Sequence, residues 1–377
     1  MTDTVVVGGG LVGLAVAWRA AARGVDVTLV DADPGSGASG VAAGMLAPVT
    51  EAAYGEEALL ALNTLSARSW ADFAADLGRA SGIDVGYRDD PTLLVALDGD
   101  DLAAVDELLA FQQRLGLDVT RLRSRDCRAH EPLLHPRVRG GVLARDDHRV
   151  DAQQVVRALL VAATRAGVRL ERQHATALDH ADGRVRGVRL AEGSSLSARQ
   201  VVLAAGTWSA DLHGLPVGVR PPVRPVKGQL LVLRAGRDEP RPVTTVRALA
   251  RGRTVYLVPR DDGRLVVGAT QEERGHDVRV TAGGVRQLLD DAVAVMPGVD
   301  ELTLLDTRAG LRPATPDNRP LIGPTELDGL LLATGHHRNG ALLTPLTADA
   351  VTDLLTDRTP AVDLSSVDPR RFSEVRA

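Results

Sequence analysis

The sequence predicts an α/β chain, α+β when taken as a whole, in which parallel strand–helix segments interleave with a mostly antiparallel sheet. Three observations predict it. A strand, a glycine turn, a helix and a second strand follow one another within about 30 residues of the start. Apolar strands ending at glycine recur near residues 205 and 335. Between 221 and 304 the pattern changes to hairpins.

Each element has its own signal. Thr4–Val7 is a short apolar run of the kind buried on both faces of a parallel sheet. Leu11–Arg23 is rich in alanine and leucine and stops at Gly24, a helix with its expected terminator. Val25–Val30 is the next strand and closes at Asp31. Helices are expected over Glu57–Leu77, Asp101–Leu115, Gln153–Ala166 and Ala341–Leu355. Strands are expected over Thr92–Leu97, Val168–Arg172, Gln200–Ala204, Gln229–Leu233, Val255–Val258, Leu265–Val267 and Gly329–Thr334. Asp182-Gly183 and Asp261-Asp262-Gly263 are turn signals between strands. The simplest division places 1–85, 145–220 and 305–377 in a nucleotide-type domain, and 86–144 with 221–304 in a substrate domain.

Composition excludes several functions. The 377 residues carry a formal net charge of −5, which offers no basic surface to nucleic acid or anionic lipid. Aromatic residues make up 2%, too few for base stacking. Cys127 is the single cysteine, so no internal disulfide is possible. The start lacks a charged region before its apolar stretch, and no apolar run reaches the roughly 20 residues of a membrane span. A cytoplasmic protein is expected. Lys227 is the only lysine, so any Schiff-base chemistry would have to use it. His336 and His337 are neighbours that cannot easily share one metal, and no metal-ligand spacing accompanies them.

Gly8-Gly9-Gly10-Leu11-Val12-Gly13 fits G-x-G-x-x-G between strand and helix. Gly8 permits the tight turn, Gly10 a close approach of backbone to pyrophosphate, and Gly13 close helix–strand packing. The helix N-terminus then turns free N–H groups and the positive end of its dipole toward the phosphates. Asp31 lies where a carboxylate can accept from a ribose diol. Together these signals point to a Rossmann-like dinucleotide site. The stretch from Ser36 through Ala38, Ser39, Ala43 and Gly44 to Met45-Leu46 is small and polar, then apolar. It suits a loop that wraps a pyrophosphate and presents amides to a flat ring, which favours FAD over NAD.

Those motifs, followed in order by Pro225–Gln229, Gly310-Leu311-Arg312-Pro313 and Gly335-His336-His337-Arg338-Asn339-Gly340, resemble the D-amino-acid-oxidase superfamily from about residue 4 to 356. The likeness is greatest to the glycine-oxidising branch that serves thiazole synthesis in thiamine biosynthesis. The resemblance implies non-covalent FAD, a small amino-acid substrate, O2 as oxidant, a homo-oligomer (a tetramer) and thiazole synthase as a possible partner. It implies that Arg312 binds the substrate carboxylate, that Tyr256 and Arg338 contact the substrate, and that Gln271 stands where the branch has methionine. It also implies flavin contacts from Gly8, Gly10, Leu11, Val12, Gly13, Asp31, Ala38, Ser39, Ala43, Gly44, Met45, Thr176, Gly206, His336, His337, Arg338, Asn339, Gly340, Ala341 and Leu342.

A planar guanidinium is the best clamp for an α-carboxylate, and a tyrosine hydroxyl can add a hydrogen bond. No clear base emerges, which suits hydride transfer from a neutral amine. Alternatives are another amine oxidase or a D-amino-acid dehydrogenase of the superfamily, an NAD-dependent dehydrogenase, or a flavin-binding subunit without turnover.

Overall fold

A computed structural model describes residues 2–372. The N-terminal part contains β1 (Thr2–Val7), α1 (Leu11–Ala22), β2 (Val27–Val30), β3 (Met45–Leu46) and α2 (Glu57–Ser81). Then come β4 (Thr92–Ala96), α3 (Gly99–Arg114), β5 (Val119–Arg123), α4 (Ser124–His130), β6 (Gly140–Ala144) and β7 (His148–Arg149). The middle carries α5 (Ala152–Arg165), β8 (Arg169–Glu171), β9 (Ala175–Ala181), β10 (Arg184–Leu190) and β11 (Ser195–Leu203). Next are β12 (Arg224–Arg234), β13 (Val246–Ala250), β14 (Arg253–Pro259), β15 (Arg264–Gly268) and α6 (Ala282–Val295). The chain continues through β16 (Thr303–Ala314), β17 (Leu321–Pro324), β18 (Leu330–Thr334) and α7 (Thr344–Leu355).

One sheet runs β17-β18-β11-β1-β2-β8, with the β9–β10 hairpin attached to β11. Strands β18, β11, β1, β2 and β8 are parallel to one another, and the register Val5↔Val201 and Val5↔Thr28 places the valine run of β1 at the centre. Val6 is wholly buried under helices α1, α5 and α7, and Val5 is wholly buried on the opposite face with Leu178 and Val188. Asp151 caps α5 by accepting from Gln153 N at 3.0 Å. The β9–β10 turn puts Asp182 and Gly183 at φ 53° and 72°, the left-handed pair that matches strand twist.

The second sheet runs β16-β12-β15-β14-β13-β4-β6-β5. It alternates by residue, as a pleated strand must. Leu231 and Leu233 of β12 point to a core under α6 with Leu288, Ala292 and Val295. Leu230 and Val232 point the other way, to a cluster containing Ala43. This second face meets the first sheet's loops.

The structure differs from the sequence reading in three places. The stretch 221–304 is not hairpins alone, since α6 crosses it, and β12 pairs along its whole length with β16, from Arg224↔Ala314 to Arg234↔Thr303. The strand expected over Gln229–Leu233 runs from Arg224 to Arg234, with Pro225 opposite Pro313. The helix expected from Ala341 starts at Thr344, because 335–343 is a turn-rich loop. Among the described residues, no helix is long and apolar enough to cross a membrane.

Candidate active site

The loops after β1, β11 and β18, at the carboxyl ends of adjacent parallel strands, converge on one edge of the first sheet. Gly8, at φ 110°, lies so close to β11 that a Cβ would sit 2.4 Å from the Ala204 carbonyl. A Cβ on Gly13 would sit 1.9 Å from the Gly8 carbonyl, so only glycine lets α1 start here. Leu11 N donates to Ser39 Oγ at 2.9 Å, and Ser39 lies on a short 3₁₀ turn, Ala38–Val41. Ser39 therefore stands at the helix N-terminus, where no acidic side chain occupies the first turn. Val12 is half-buried one residue further. Asp31 accepts from Gly9 N at 2.6 Å and from Asp33 N at 2.8 Å. Its carboxylate thus braces the glycine turn, a task beyond the ribose contact expected from sequence.

The next loop crosses to the second sheet. Gly44 has φ 72°, with the Val150 carbonyl 2.1 Å from where a Cβ would go. Met45 pairs with Arg149 across β3–β7, and Arg260 donates to the Ala43 carbonyl at 2.5 Å. Ala43 packs with Leu230, Val232, Val258 and Val266, and Val41, Met45 and Tyr256 line the same cluster. The expected flavin loop and the expected substrate tyrosine therefore share one apolar wall.

The loop after β18 begins at Gly335, φ 76°. His336 is buried and pairs through Nε2 with Thr347 Oγ1 at 3.0 Å, and burial holds its pKa down at about 3. His337 adopts φ 46° and leaves a buried Nδ1 without a partner. Burial first, and then the cations Arg338, Arg312 and Arg224, push its pKa to about 3, so the ring is neutral. Asn339 Nδ2 and Thr207 Oγ1, the latter next to Gly206, are likewise buried and unpaired. Orphaned polar atoms of this kind are costly unless a bound group satisfies them. With the glycine cradle they fit a dinucleotide carrying a polar-edged ring.

Not every expected contact gathers there. Thr176 is exposed on β9, with its hydroxyl on the Arg189 carbonyl at 3.3 Å. Ala341 and Leu342 are buried in the helical core, where the Leu342 carbonyl accepts from Ser66 Oγ and Trp70 Nε1. The Gly340 carbonyl accepts from Thr344 Oγ1 at 2.7 Å. Gln271 is exposed, on the strap that follows β15.

Tyr256 on β14 pairs with Gly268 of β15 and Arg247 of β13. Its hydroxyl lies beside the Arg312 guanidinium, and burial raises its pKa, so it stays protonated. Arg312 Nη1 donates to the Thr270 carbonyl at 3.2 Å. The Thr270 hydroxyl in turn accepts from Gln229 N and donates to Glu272, which pairs by backbone with Lys227. Lys227 is 1% exposed and lies 3.9 Å from both Glu272 and Asp277. The only lysine is thus a strut behind the strap that seats Arg312. Among the described residues, no carboxylate pairs with Arg312, which leaves its charge available.

The sequence reading missed a set of acids. Glu51 reaches Arg247 at 2.5 Å and Arg338 Nε at 3.4 Å. Arg338 also pairs with Glu56, which accepts from Asn318 Nδ2 at 2.8 Å. The loop before Glu51 is held from below, where buried Asp147 accepts from Val49 N at 2.7 Å and Thr50 N at 2.8 Å. In sequence Glu51 and Glu56 look like a solvated helix entry, and only their arginine partners mark them. Cys127 is buried far from these loops in sequence, and burial raises its thiol to about 11.

A three-segment dinucleotide cradle facing an antiparallel sheet that bears an unpaired arginine defines an oxidoreductase of the flavin type. The chain belongs to the FAD dependent oxidoreductase (DAO) family, whose model matches residues 3–354, and FAD is its cofactor. It is 34% identical over 366 residues to the glycine oxidase of Pseudomonas putida, covering 96% of each chain. The crystal structure of glycine oxidase from Geobacillus kaustophilus superposes with a TM-score of 0.89 at 32% identity, covering 98% of both chains. The bifunctional protein ThiO/ThiG of Synechocystis sp. is 34% identical over 379 residues. That match takes in 98% of this chain but 54% of the relative, so the chain spans about half the length of the bifunctional relatives.

Proposed function

We propose that the chain oxidises glycine, and small amines such as sarcosine or D-alanine, to the imine. Hydrolysis then gives glyoxylate and ammonia, and O2 is reduced to hydrogen peroxide. The observation that carries the reading is the uncompensated Arg312 guanidinium, seated on the Thr270 carbonyl beside the Tyr256 hydroxyl. A charged bidentate donor there takes one carboxylate, and the tyrosine hydroxyl fixes its orientation. Bound FAD supplies the hydride acceptor. The residues supply aim. Arg312 and Tyr256 hold the α-carboxylate, while the wall of Val41, Met45 and Ala43 keeps water from Cα. No step assigns a proton to a side-chain base. The substrate amine itself must arrive neutral.

On this reading Gly8–Gly13, Asp31 and Ser39 hold the pyrophosphate and ribose, and Ala43–Met45, Gly206 and His336–Gly340 surround the ring. The two sheets are the two domains, with β16 assigned to the substrate domain. The bifunctional relatives named ThiO/ThiG support a role supplying the imine to thiazole synthase, and the proposed setting is the cytoplasm, with the chain in a homo-oligomer. Anaerobic mixing with glycine, sarcosine and D-alanine in parallel tests the function. Bleaching of the flavin band by glycine is expected, with peroxide released on aeration. Bleaching by none of the three would reject the reading, and bleaching without peroxide would favour a dehydrogenase.

A further inference from the structure

The substrate face gathers three guanidiniums, on Arg247, Arg312 and Arg338, yet a single glycine-like substrate brings one carboxylate. Glu51 accounts for the difference. It stands on the loop between β3 and α2 and pairs with Arg247 at 2.5 Å and Arg338 at 3.4 Å. Glu56 completes the neutralisation of Arg338. Glu51 and Arg247 keep 13% and 16% of their side-chain surface, so solvent screens the pair little. Arg247 is the cross-strand partner of Tyr256, whose hydroxyl lies beside Arg312. Arg312 and Arg247 both act on the Tyr256 hydroxyl, so an anion held by Arg312 has Arg247 as a cationic neighbour.

We propose that Glu51 sets the charge specificity of the site. By occupying Arg247 and Arg338, it leaves Arg312 as the one anion receptor and turns away ligands with a second carboxylate. This inference rests on the reading that Arg312 binds the substrate carboxylate. A bland ion-pair strut between the loop and the second sheet would behave differently. Loss of a strut weakens all ligands alike, whereas loss of a charge filter changes their ratio.

The test uses the FAD-loaded full chain and two unreactive acids. Butyrate is the carbon analogue of N-methylglycine, and glutarate that of N-carboxymethylglycine. Dissociation constants are read from the perturbation of the visible flavin band at one pH and ionic strength. The ratio of glutarate to butyrate affinity should rise about tenfold or more in Glu51→Gln, because a repelling carboxylate is removed and Arg247 is freed. Glu51→Asp should keep the wild-type ratio. An unchanged ratio in Glu51→Gln, or binding of neither acid to any form, overturns the proposal. If Glu51→Gln fails to hold flavin, Arg247→Met serves in its place. That variant removes one of the two cations that balance Glu51, so the preference for butyrate should rise, and no change overturns the idea. Failure of glycine to bleach the wild-type flavin would sink the catalytic reading alone, since this ratio needs no turnover.

Discussion

Arg312 lies over Gly228. A Cβ at Gly228 would stand 2.4 Å from Arg312 Nη1, so the absence of a side chain on β12 is what lets the guanidinium from β16 lie across it. The strands pair Val226 with Arg312 and Gly228 with Gly310, which puts the arginine on a diagonal over the glycine. Gly228→Ala should leave the fold and the flavin in place, because the displaced atoms are the end of a flexible side chain. It should raise KM for glycine about tenfold or more through a shifted clamp. Steady-state kinetics together with the flavin absorbance ratio check this, and an unchanged KM would count against the geometry.

Removing the clamp itself should do more. Arg312→Met should raise KM for glycine by about 100-fold, as two charge-assisted hydrogen bonds are lost. The flavin should stay bound, since Arg312 is on the second sheet and the glycine cradle is on the first. Loss of the flavin spectrum in that variant would show that the arginine serves the cofactor instead.

Tyr256→Phe isolates the hydroxyl, because the ring's packing beside Leu230 and Val258 is kept. A fall of about tenfold in kcat/KM is expected, the size of one hydrogen bond to a charged ligand. The measurement is kcat/KM at saturating O2.

The pH profile follows from the groups that do not titrate. His336 and His337 are held at about 3 by burial, and Tyr256 is raised by burial, so none of the three changes charge between pH 6 and 9. The kcat/KM for glycine should therefore rise with pH as the substrate amine loses its proton. A flat profile across that range would contradict hydride transfer from the neutral amine.

Asp147 gives a stability prediction. Burial pushes its carboxyl up to about 6, although Thr50 and Val49 donate to it. A raised folded-state pKa means that the folded protein holds this proton more tightly than the unfolded chain. The contribution is full below about pH 4 and is lost as pH rises through 6. In urea denaturation of the holoprotein, the stability of wild type relative to Asp147→Asn should decline from pH 4.5 to 7.5, and a rise would refute the assignment.

The glycine turn at Gly8–Gly13 was legible because its requirements are local: a strand, a tight turn, a helix start and an acid within one βαβ unit. The strand ends near 205 and 335 were legible for the same reason. Helix α6 was not, since Gly283, Gly284 and three valines lower its propensity, and it forms because Leu288, Ala292 and Val295 find the sheet beneath them. The reach of β16 depends on eleven rungs with a strand some 80 residues earlier in the chain, and no local pattern announces such a pairing.

By itself the sequence determined that a dinucleotide binds, because backbone conformation at glycine is set residue by residue. Tertiary structure alone decided how many of the arginines at the proposed site carry an available charge. Arg312 is left uncompensated while Arg247 and Arg338 are matched by Glu51 and Glu56. Charge pairing depends on distance in space, and these partners are brought together from positions 51, 56, 247, 312 and 338 only when the two sheets close on each other.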